Sequence, residues 1–388
     1  MSDWPYLSAA SGPGEVTNRT LRDQARQVVN HYDPAFIALF ARACDLLQQV
    51  FRTHNDVVIM QGETVLGMES VAASLISPGD RVLNLVSGIF GKWFETFIER
   101  YGGKTIEVAV PFNDAIDPED VRNALRRHSG VKFLSVIHAE TPSGTVNPVD
   151  QICLIAREFG VLTIVDTALG LGGAPFEVDA WGVDVAVSGP QKCLAGVPGL
   201  ALLAVSPSAW EAMEHRRTPL RESYLSLLDW RESWTQRRTF PYTTSVSLVY
   251  ALESVLAQAL EIGLDRYIAR HERIGRACRA GVRALGLRPW PARDAIASNA
   301  VTTVHTPDGV NAGALVTHMR GRYGVKISGG YKDLAGITFR LGHMGVSAHP
   351  THLAALLAVL ERSLLNLGHG VDLGASIGAA MHTLGDWE

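Results

Sequence analysis

The chain has 388 residues, of which 47% are hydrophobic and 19% are charged, a composition that can bury a large core divided between two domains. Its formal net charge is −4 and its pI is near 6.4, so it lacks the basic surface with which proteins bind nucleic acid or anionic membranes. No apolar run reaches the roughly eighteen residues that span a bilayer, and the start of the chain does not resemble a signal peptide. We therefore expect a cytoplasmic protein with neither nucleic acid nor a membrane as its partner.

The first thirty residues carry the turn-forming stretch Ser11–Gly14, which we expect to lie in an arm that is neither helix nor strand. Two interpretations stay open for this stretch: a surface loop, or a loop that lines an active site. From Pro34 the pattern becomes helical, because Asp33 suits a helix cap and proline suits the first helical position. This helix is predicted to end at about Arg52.

Strands and helices then alternate as far as Val205. Each strand is a continuous apolar run, which is typical of a mostly parallel sheet with helices on both faces. The strands are predicted at about 57–60, 81–86, 104–110, 131–137, 161–166, 183–188 and 200–205. Helices are predicted between them: from Thr64 or Val65 to about Ser77, up to about Tyr101, from Pro118, and from Pro148 to Gly160. The fold class is therefore α/β, with a mostly parallel seven-stranded sheet in a large domain.

Beyond about residue 207 the pattern changes, and a polar stretch with tryptophans is followed by long helices over roughly 244–285. Short strands and helices then indicate a smaller α+β domain, with strands near 299–305, 324–327 and 336–341 and helices near 311–321 and 350–367. We predict an N-terminal arm at 1–20, a large ligand-binding domain at 21–262 and a small C-terminal domain at 263–388.

One lysine, Lys192, stands alone between Lys132 and Lys326 and follows an apolar strand. An amine just beyond a buried strand loses water, which lowers its pKa and suits a lysine that attacks a carbonyl. Asp166 ends another apolar strand, and in such sheets the ligand lies beyond the carboxyl ends of the strands. A lysine and a carboxylate at that edge can hold pyridoxal as a Schiff base, with the aspartate keeping the pyridine nitrogen protonated.

Glu63 stands in the turn between the strand at 57–60 and the helix that follows it. A helix that starts directly after a strand offers free backbone N–H groups to an anion. A carboxylate beside a phosphate would repel it, so this turn is either weakened for phosphate or built for a neutral group. The alternative is that Glu63 only caps the helix and faces solvent.

No metal site is expected. The four cysteines form no Cys-x-x-Cys pair, so neither a zinc site nor a disulfide framework is indicated. Three histidines near the motifs do not have the spacing of a metal set: His138, His343 and His349.

Six segments carry a resemblance to a known family and run in family order from about residue 12 to residue 345. They are His31–Phe36, Gly62–Glu69, Ser87–Lys92, His138–Gly144, Ser188–Leu194 and Phe339–Gly345. In these segments the chain resembles the class V aminotransferase family of fold type I pyridoxal-phosphate enzymes, the group of alanine-glyoxylate and serine-glyoxylate aminotransferases. Within that family it looks most similar to the pyridoxamine-pyruvate aminotransferases.

The resemblance implies a fold type I enzyme with pyridoxal 5′-phosphate bound covalently on Lys192 and with Asp166 at the pyridine nitrogen. It implies further contacts to the cofactor from Glu63, Thr64, Val65, Phe90, Thr141, Ala168 and Gln191. Family members are homodimers with shared active sites, and Thr243 falls where a residue of the partner reaches the phosphate. Arg340 matches the arginine that binds the substrate carboxylate, for which a planar guanidinium is well suited.

The departures from the family pattern concern the substrate. Many relatives have a small polar trio where this chain has Glu63, Thr64 and Val65, and a tyrosine where it has Phe240, so the resemblance implies that these phosphate contacts are missing here. Glu63 is similar to the pyridoxamine-pyruvate enzymes, which take unphosphorylated pyridoxamine as substrate. Tyr331, however, lies where those enzymes carry a second arginine.

The function implied is an aminotransferase that moves an amino group between a small amino acid or amine and a 2-oxo acid. Two enzymatic alternatives stay open: a β-lyase or decarboxylating deaminase, and a transaminase of unphosphorylated pyridoxamine. A relative without activity, used as a scaffold, is disfavoured because Lys192 and Asp166 are both present. For Arg340 the plainer alternative is a structural ion pair with Asp333 or Glu361.

Overall fold

The computed structural model describes residues 7–387, and its centre is a seven-stranded sheet in the order β2-β10-β9-β8-β5-β3-β4. Six of these strands run in the same direction, and β10 is antiparallel to both of its neighbours. This arrangement confirms the predicted mostly parallel sheet. The strands are β2 (Asp56–Gln61), β3 (Arg81–Val86), β4 (Lys104–Ala109), β5 (Val131–Ile137), β8 (Leu162–Asp166), β9 (Val185–Ser188) and β10 (Leu200–Val205).

Helices on both faces of this sheet are close to the predicted positions where local capping signals are strong. Asp33 accepts from the N–H of Ala35 at the start of α2, and Asp117 accepts from that of Glu119 at the start of α5. The longer helices are α2 (Pro34–Phe51), α3 (Thr64–Leu75), α4 (Ile89–Arg100), α5 (Pro118–Arg127), α6 (Val149–Glu158), α8 (Pro207–Glu214), α10 (Val246–Ile262) and α11 (Leu264–Ala284). Shorter elements are α1 (Asn18–Gln24), α7 (Val178–Trp181), α9 (Leu227–Trp230) and a two-stranded pair, β6 (Ala139–Glu140) and β7 (Thr145–Val146).

A second sheet, in the order β1-β12-β13-β11, forms a separate hydrophobic core with the C-terminal helices. Its elements are β1 (Leu7–Ala9), β11 (Val301–His305), α12 (Ala312–Tyr323), β12 (Val325–Gly329), β13 (Thr338–Gly342), α13 (Pro350–Asn366) and α14 (Ala375–Leu384). These elements match the mixture of strands and helices predicted for this part of the chain. Two large hydrophobic cores and a smaller cluster that includes Ala139 and Met344 are therefore found among the described residues, while the exact division at residues 20 and 262 stays a prediction.

The expectation that the N-terminal arm has no regular structure is wrong for Leu7–Ala9 and Asn18–Gln24, while residues 1–6 of the predicted arm lie outside the described residues. Leu7–Ala9 pairs in parallel with Val325–Ile327 at the edge of the small sheet, and Asn18–Gln24 is a helix capped by Thr17. A three-residue strand is too short to show a period of two, and its partner lies more than 300 residues away. The arm thus connects the small sheet to the cavity described below.

Helix α2 is long and apolar enough to cross a membrane by length and composition, with a mean hydropathy of 1.2 over eighteen residues. Arg42 and Asp45 interrupt its apolar sequence, and Arg42 pairs with Glu253 at 2.8 Å. Its inner face packs in the large core, with Phe36 and Phe40 against Phe240. These contacts are those of a core helix in a globular protein.

Candidate active site

A cavity of about 350 Å³ opens beyond the carboxyl ends of β5, β8 and β9, where the ligand of a parallel α/β sheet is expected. It brings together nine of the predicted cofactor or catalytic residues and one predicted substrate residue. The predicted residues that line it are Glu63, Thr64, Val65, Phe90, Thr141, Asp166, Ala168, Gln191, Lys192 and Tyr331. The others are Gly12, Pro13, Met68, Trp93, Ile137, Ala139 and Pro198.

Lys192 follows β9 through a tight turn and is half-buried in this cavity. Its Nζ donates to the carbonyl oxygen of Ser11 at 2.9 Å, so the N-terminal turn holds the amine. Burial, helped by the positive charge of Arg340, lowers the pKa of Lys192 to about 8. More of the amine is therefore uncharged near neutral pH than in an ordinary lysine, and an uncharged amine can attack a carbonyl.

Asp166 is the last residue of β8 and is buried. Its Oδ1 accepts from the backbone N–H of Ala168 at 2.7 Å. Burial, with a smaller contribution from Glu63, raises the pKa of Asp166 to about 6, although the hydrogen bond from the Ala168 N–H and the charge of Lys192 oppose the rise. The carboxylate would be stabilised by a cationic N–H donor in the cavity, which is what a protonated pyridine nitrogen is.

The N-terminus of α3 is occupied by a side chain of the protein itself. Glu63 is exposed and its Oε1 accepts from the N–H of Val65 at 3.1 Å, so it caps α3, and it also lines the cavity. Gln191 Nε2 donates to Thr64 Oγ1 at 3.3 Å, and Gln191 Oε1 is buried without a partner. Of the charged residues described as lining the cavity, two are acidic and Lys192 alone is basic.

Of the two predicted substrate-binding residues, Tyr331 lines the cavity and Arg340 does not. Arg340, in β13, is half-buried and donates from Nε to Gly329 O at 2.9 Å, but it is not among the residues that line the cavity. Within residues 7–387 no carboxylate forms an ion pair with it, so the predicted pairs with Asp333 and Glu361 are not found; Glu361 accepts from Gly374 and Ser376. Its charge is nevertheless close enough to lower the pKa of Lys192.

Thr243 is exposed and does not line the cavity of the single chain. Sequence reasoning missed several apolar residues of the wall, such as Met68 and Trp93, because an apolar residue on a helix carries no signal that separates it from the core. Gly12 and Pro13 belong to the turn for which an active-site role was one interpretation. The turn therefore lines the cavity, and its role in an active site stays a prediction.

The residues present fit a pyridoxal ring better than its phosphate. An amine, a carboxylate, the hydroxyl of Thr141 and the apolar side chains of Phe90 and Ala168 have the chemistry that a pyridine aldehyde needs. At the α3 end a phosphate would have to displace the Glu63 carboxylate from the helix N–H groups. Among residues 7–387, no group of three or more metal-ligating side chains is placed to hold a metal ion.

Comparison with known proteins gives full-length matches. The family model described as aminotransferase class-V matches residues 19–343. The pyridoxamine–pyruvate transaminase of Mesorhizobium japonicum is 41% identical over 97% of this chain and 96% of its own. The crystal structure of the pyridoxamine-pyruvate aminotransferase from Mesorhizobium loti superposes with a TM-score of 0.96 at 40% identity, covering 98% of this chain and 97% of the other. The ureidoglycine-glyoxylate aminotransferase of Bacillus subtilis gives 0.94 at 30% identity, over 99% and 98%.

Proposed function

The chain belongs to the class V aminotransferase family and is a pyridoxal phosphate-dependent transferase; from that premise we propose that Lys192 is its catalytic base and Asp166 its anchor for the pyridine nitrogen. The amino group then passes between a small amino acid or amine and a 2-oxo acid. One observation carries the assignment: an amine with a lowered pKa and a buried carboxylate line the same cavity. Perturbed groups of this kind cluster at catalytic sites.

When bound, pyridoxal phosphate supplies an aldehyde that bonds the amino group and a protonated ring that withdraws electrons from the adjacent carbon. Lys192 would hold the aldehyde through its Nζ, which now donates to the Ser11 carbonyl and would have to give up that hydrogen bond. Lys192 Nζ would then be the group that takes a proton from the substrate carbon next to the amino group and delivers it to the carbon of the former aldehyde. Asp166, whose pKa is about 6, is mostly charged near neutral pH and would keep the proton on the ring nitrogen.

Arg340 is proposed to bind the carboxylate of the amino or oxo acid. Its positive charge lowers the pKa of Lys192, and it has no carboxylate partner among the described residues, so its charge is available to a substrate. Tyr331, which is 39% exposed, lines the cavity and is proposed to contact the same substrate. Holding the carboxylate fixes the carbon that loses its proton relative to the Lys192 amine.

We further propose that the working enzyme is a homodimer and that Thr243 contributes to the partner's site. Tyr32 and Tyr224 are 53% and 58% exposed, and both adjoin the segment that carries Thr243. Tyr32 lies near Phe240, and Tyr224 stacks on Tyr242 with 4.1 Å between ring centroids. An exposed aromatic patch beside Thr243, which does not line the cavity of its own chain, supports a second copy of the chain as the partner that covers the patch. Light scattering that gives a monomer mass would refute this.

A second candidate function is favoured by Glu63: transamination of unphosphorylated pyridoxamine. Its carboxylate holds the helix N-terminus where a phosphate would bind, and Lys192 is the one basic residue of the described cavity wall. The test compares the affinities of the protein for pyridoxal and for pyridoxal phosphate. If Glu63 disfavours phosphate, the E63Q variant should shift this preference toward the phosphate by about tenfold.

Glu69 provides a matched control for that experiment. It lies in the same helix, but its Oε1 accepts from Arg100 and Tyr101 and it does not line the cavity. The E69Q variant should leave the preference unchanged. A wild-type preference for pyridoxal phosphate that E63Q leaves unchanged would instead support pyridoxal phosphate as a resident cofactor.

The β-lyase or decarboxylating alternative has no observation that favours it, because the aligned relatives named above are aminotransferases. Ammonia release without conversion of a 2-oxo acid would revive it. We place the enzyme in the cytoplasm, which fractionation of its host would test.

A further inference from the structure

Glu140 is a fully buried carboxylate directly beneath the wall of the cavity. It lies in β6 between Ala139 and Thr141, which both line the cavity, while its own side chain is not among the lining residues. Burial raises the pKa of Glu140 to about 7, and bonds from two backbone N–H groups oppose that rise. A carboxyl group is costly to bury, so its presence here calls for a specific role.

Both oxygens of this carboxylate bind the first turn of α4. Oε2 accepts from the N–H of Phe90 at 3.2 Å and Oε1 from the N–H of Gly91 at 2.8 Å. The residue that precedes the helix is Gly88, which offers no side chain of its own as a cap. The cap of α4 is therefore supplied from fifty residues further along the chain.

The same turn is held from a second direction. Asn84 Nδ2 donates to the carbonyl oxygen of Gly91 at 3.0 Å, and Ser135 Oγ donates to Asn84 Oδ1 at 2.7 Å. A Cβ placed on Gly88 would lie 2.4 Å from Glu140 Cδ, so the glycine is needed for the carboxylate to approach. The turn that carries Phe90 thus has fixed contacts to the strands beneath it.

We propose that Glu140 is a positioning residue that joins two walls of the cavity, the Phe90 turn and the strand end that carries Ala139 and Thr141. It acts through Phe90, whose ring it holds at the cavity surface so that a pyridine ring meets a preformed aromatic face. This inference rests on the proposed function, because it requires that the cavity bind such a ring. It assigns to Glu140 no contact with the ring itself.

The experiment is a double-mutant cycle on the full-length protein with pyridoxal as the probe. E140Q keeps one of the two acceptor oxygens, so one of the two N–H groups of the Phe90 turn loses its partner. It should weaken pyridoxal binding by about three- to tenfold, which is the range expected when a contact between two aromatic rings is lost. It should also reduce the visible circular dichroism of the bound ring. In an F90A background, E140Q should cause no further loss, because its effect passes through the missing side chain.

Glu361 is a matched control, since it is also buried and accepts from two backbone N–H groups, those of Gly374 and Ser376, but in the small domain. E361Q should lower the melting temperature and leave ring affinity and dichroism unchanged. If E140Q does not fold, G88A displaces the same carboxylate and should reproduce its effect on binding.

The outcomes separate the two proposals. A wild-type protein that binds no pyridoxal overturns the proposed function. A wild-type protein that binds, with E140Q indistinguishable from E361Q in dichroism and affinity, overturns the role of Glu140 alone. So does an E140Q effect that remains at full size without the Phe90 ring.

Discussion

Replacing Asp166 by asparagine should make the ring-free protein more stable while it destroys ring binding. The side chain is buried, and burial is the main cause that raises its pKa from 3.8 to about 6. At about 1.36 kcal/mol per pH unit, this rise corresponds to about 3 kcal/mol of stability lost when the carboxylate is charged. Asparagine keeps an oxygen for the Ala168 N–H and carries no charge, so D166N should regain that free energy of unfolding.

The direction of the shift also fixes the pH dependence. Because the pKa is higher in the folded state, the folded protein binds more protons than the unfolded chain between pH 3.8 and about 6. Its free energy of unfolding therefore falls as the pH rises through that window and is steady above it with respect to this group. The advantage of D166N should be about 3 kcal/mol at about pH 8 and about half of that at about pH 5.

Urea unfolding of both ring-free proteins, followed by circular dichroism at one fixed protein concentration, measures this difference at the two pH values. Titration with pyridoxal checks the loss of binding in the same samples. The reasoning is refuted if D166N is no more stable than wild type at about pH 8, or if its advantage is the same at about pH 5. Substitution of a catalytic group often increases the stability of the protein while it abolishes function.

Three further predictions concern the substrate, the amine and the N-terminal turn. R340K should raise KM for the 2-oxo acid by about ten- to a hundredfold in steady-state kinetics, because a lysine cannot make the same bidentate contact with a carboxylate. The affinity for the pyridoxal ring should stay unchanged, and an effect on kcat alone would contradict the prediction. Because burial lowers the pKa of Lys192 to about 8, capture of pyridoxal in stopped-flow experiments should accelerate up to about pH 8 and level off above it, whereas a plateau reached only near pH 10 would contradict this. G12A should lower kcat/KM by at least about tenfold, since its Cβ would lie 2.3 Å from Lys192 Nζ at a φ of +117°. G79A is the control and should retain activity, because Gly79 has a φ of +89° but a Cβ there would have no atom within 4 Å. Equal losses in the two variants would show that the contact with Lys192 is not the cause.

The parallel sheet and the meeting of Lys192 with Asp166 could be predicted because both follow from local patterns and one general rule. Apolar runs that alternate with capped helices identify the strands, and the carboxyl ends of parallel strands meet at one edge. The bounds of α2 and β3 agree with the predictions to within about a residue. Asp33 and Pro34 mark the start of α2, and the turn at Gly79 marks the start of β3.

The rest depends on contacts between distant parts of the chain. The strand Leu7–Ala9 forms only because β12 offers an edge, and α14 went unpredicted because its glycine- and alanine-rich sequence lacks strong caps. The burial of Glu140 was invisible because no property of a glutamate in sequence shows that Phe90 and Gly91 donate to it. For Glu63, the alternatives of helix cap and cavity residue were not exclusive, and both are found.

The central claim is that Lys192 is the amine that holds the pyridoxal ring. Reduction of the ring-loaded protein with borohydride fixes the ring on the amine that carries it, and mass spectrometry of the digest then locates the modified lysine. The account predicts the added mass on the peptide that contains Lys192, and on no other lysine. An unmodified Lys192, with the ring on another residue or on none, would contradict it.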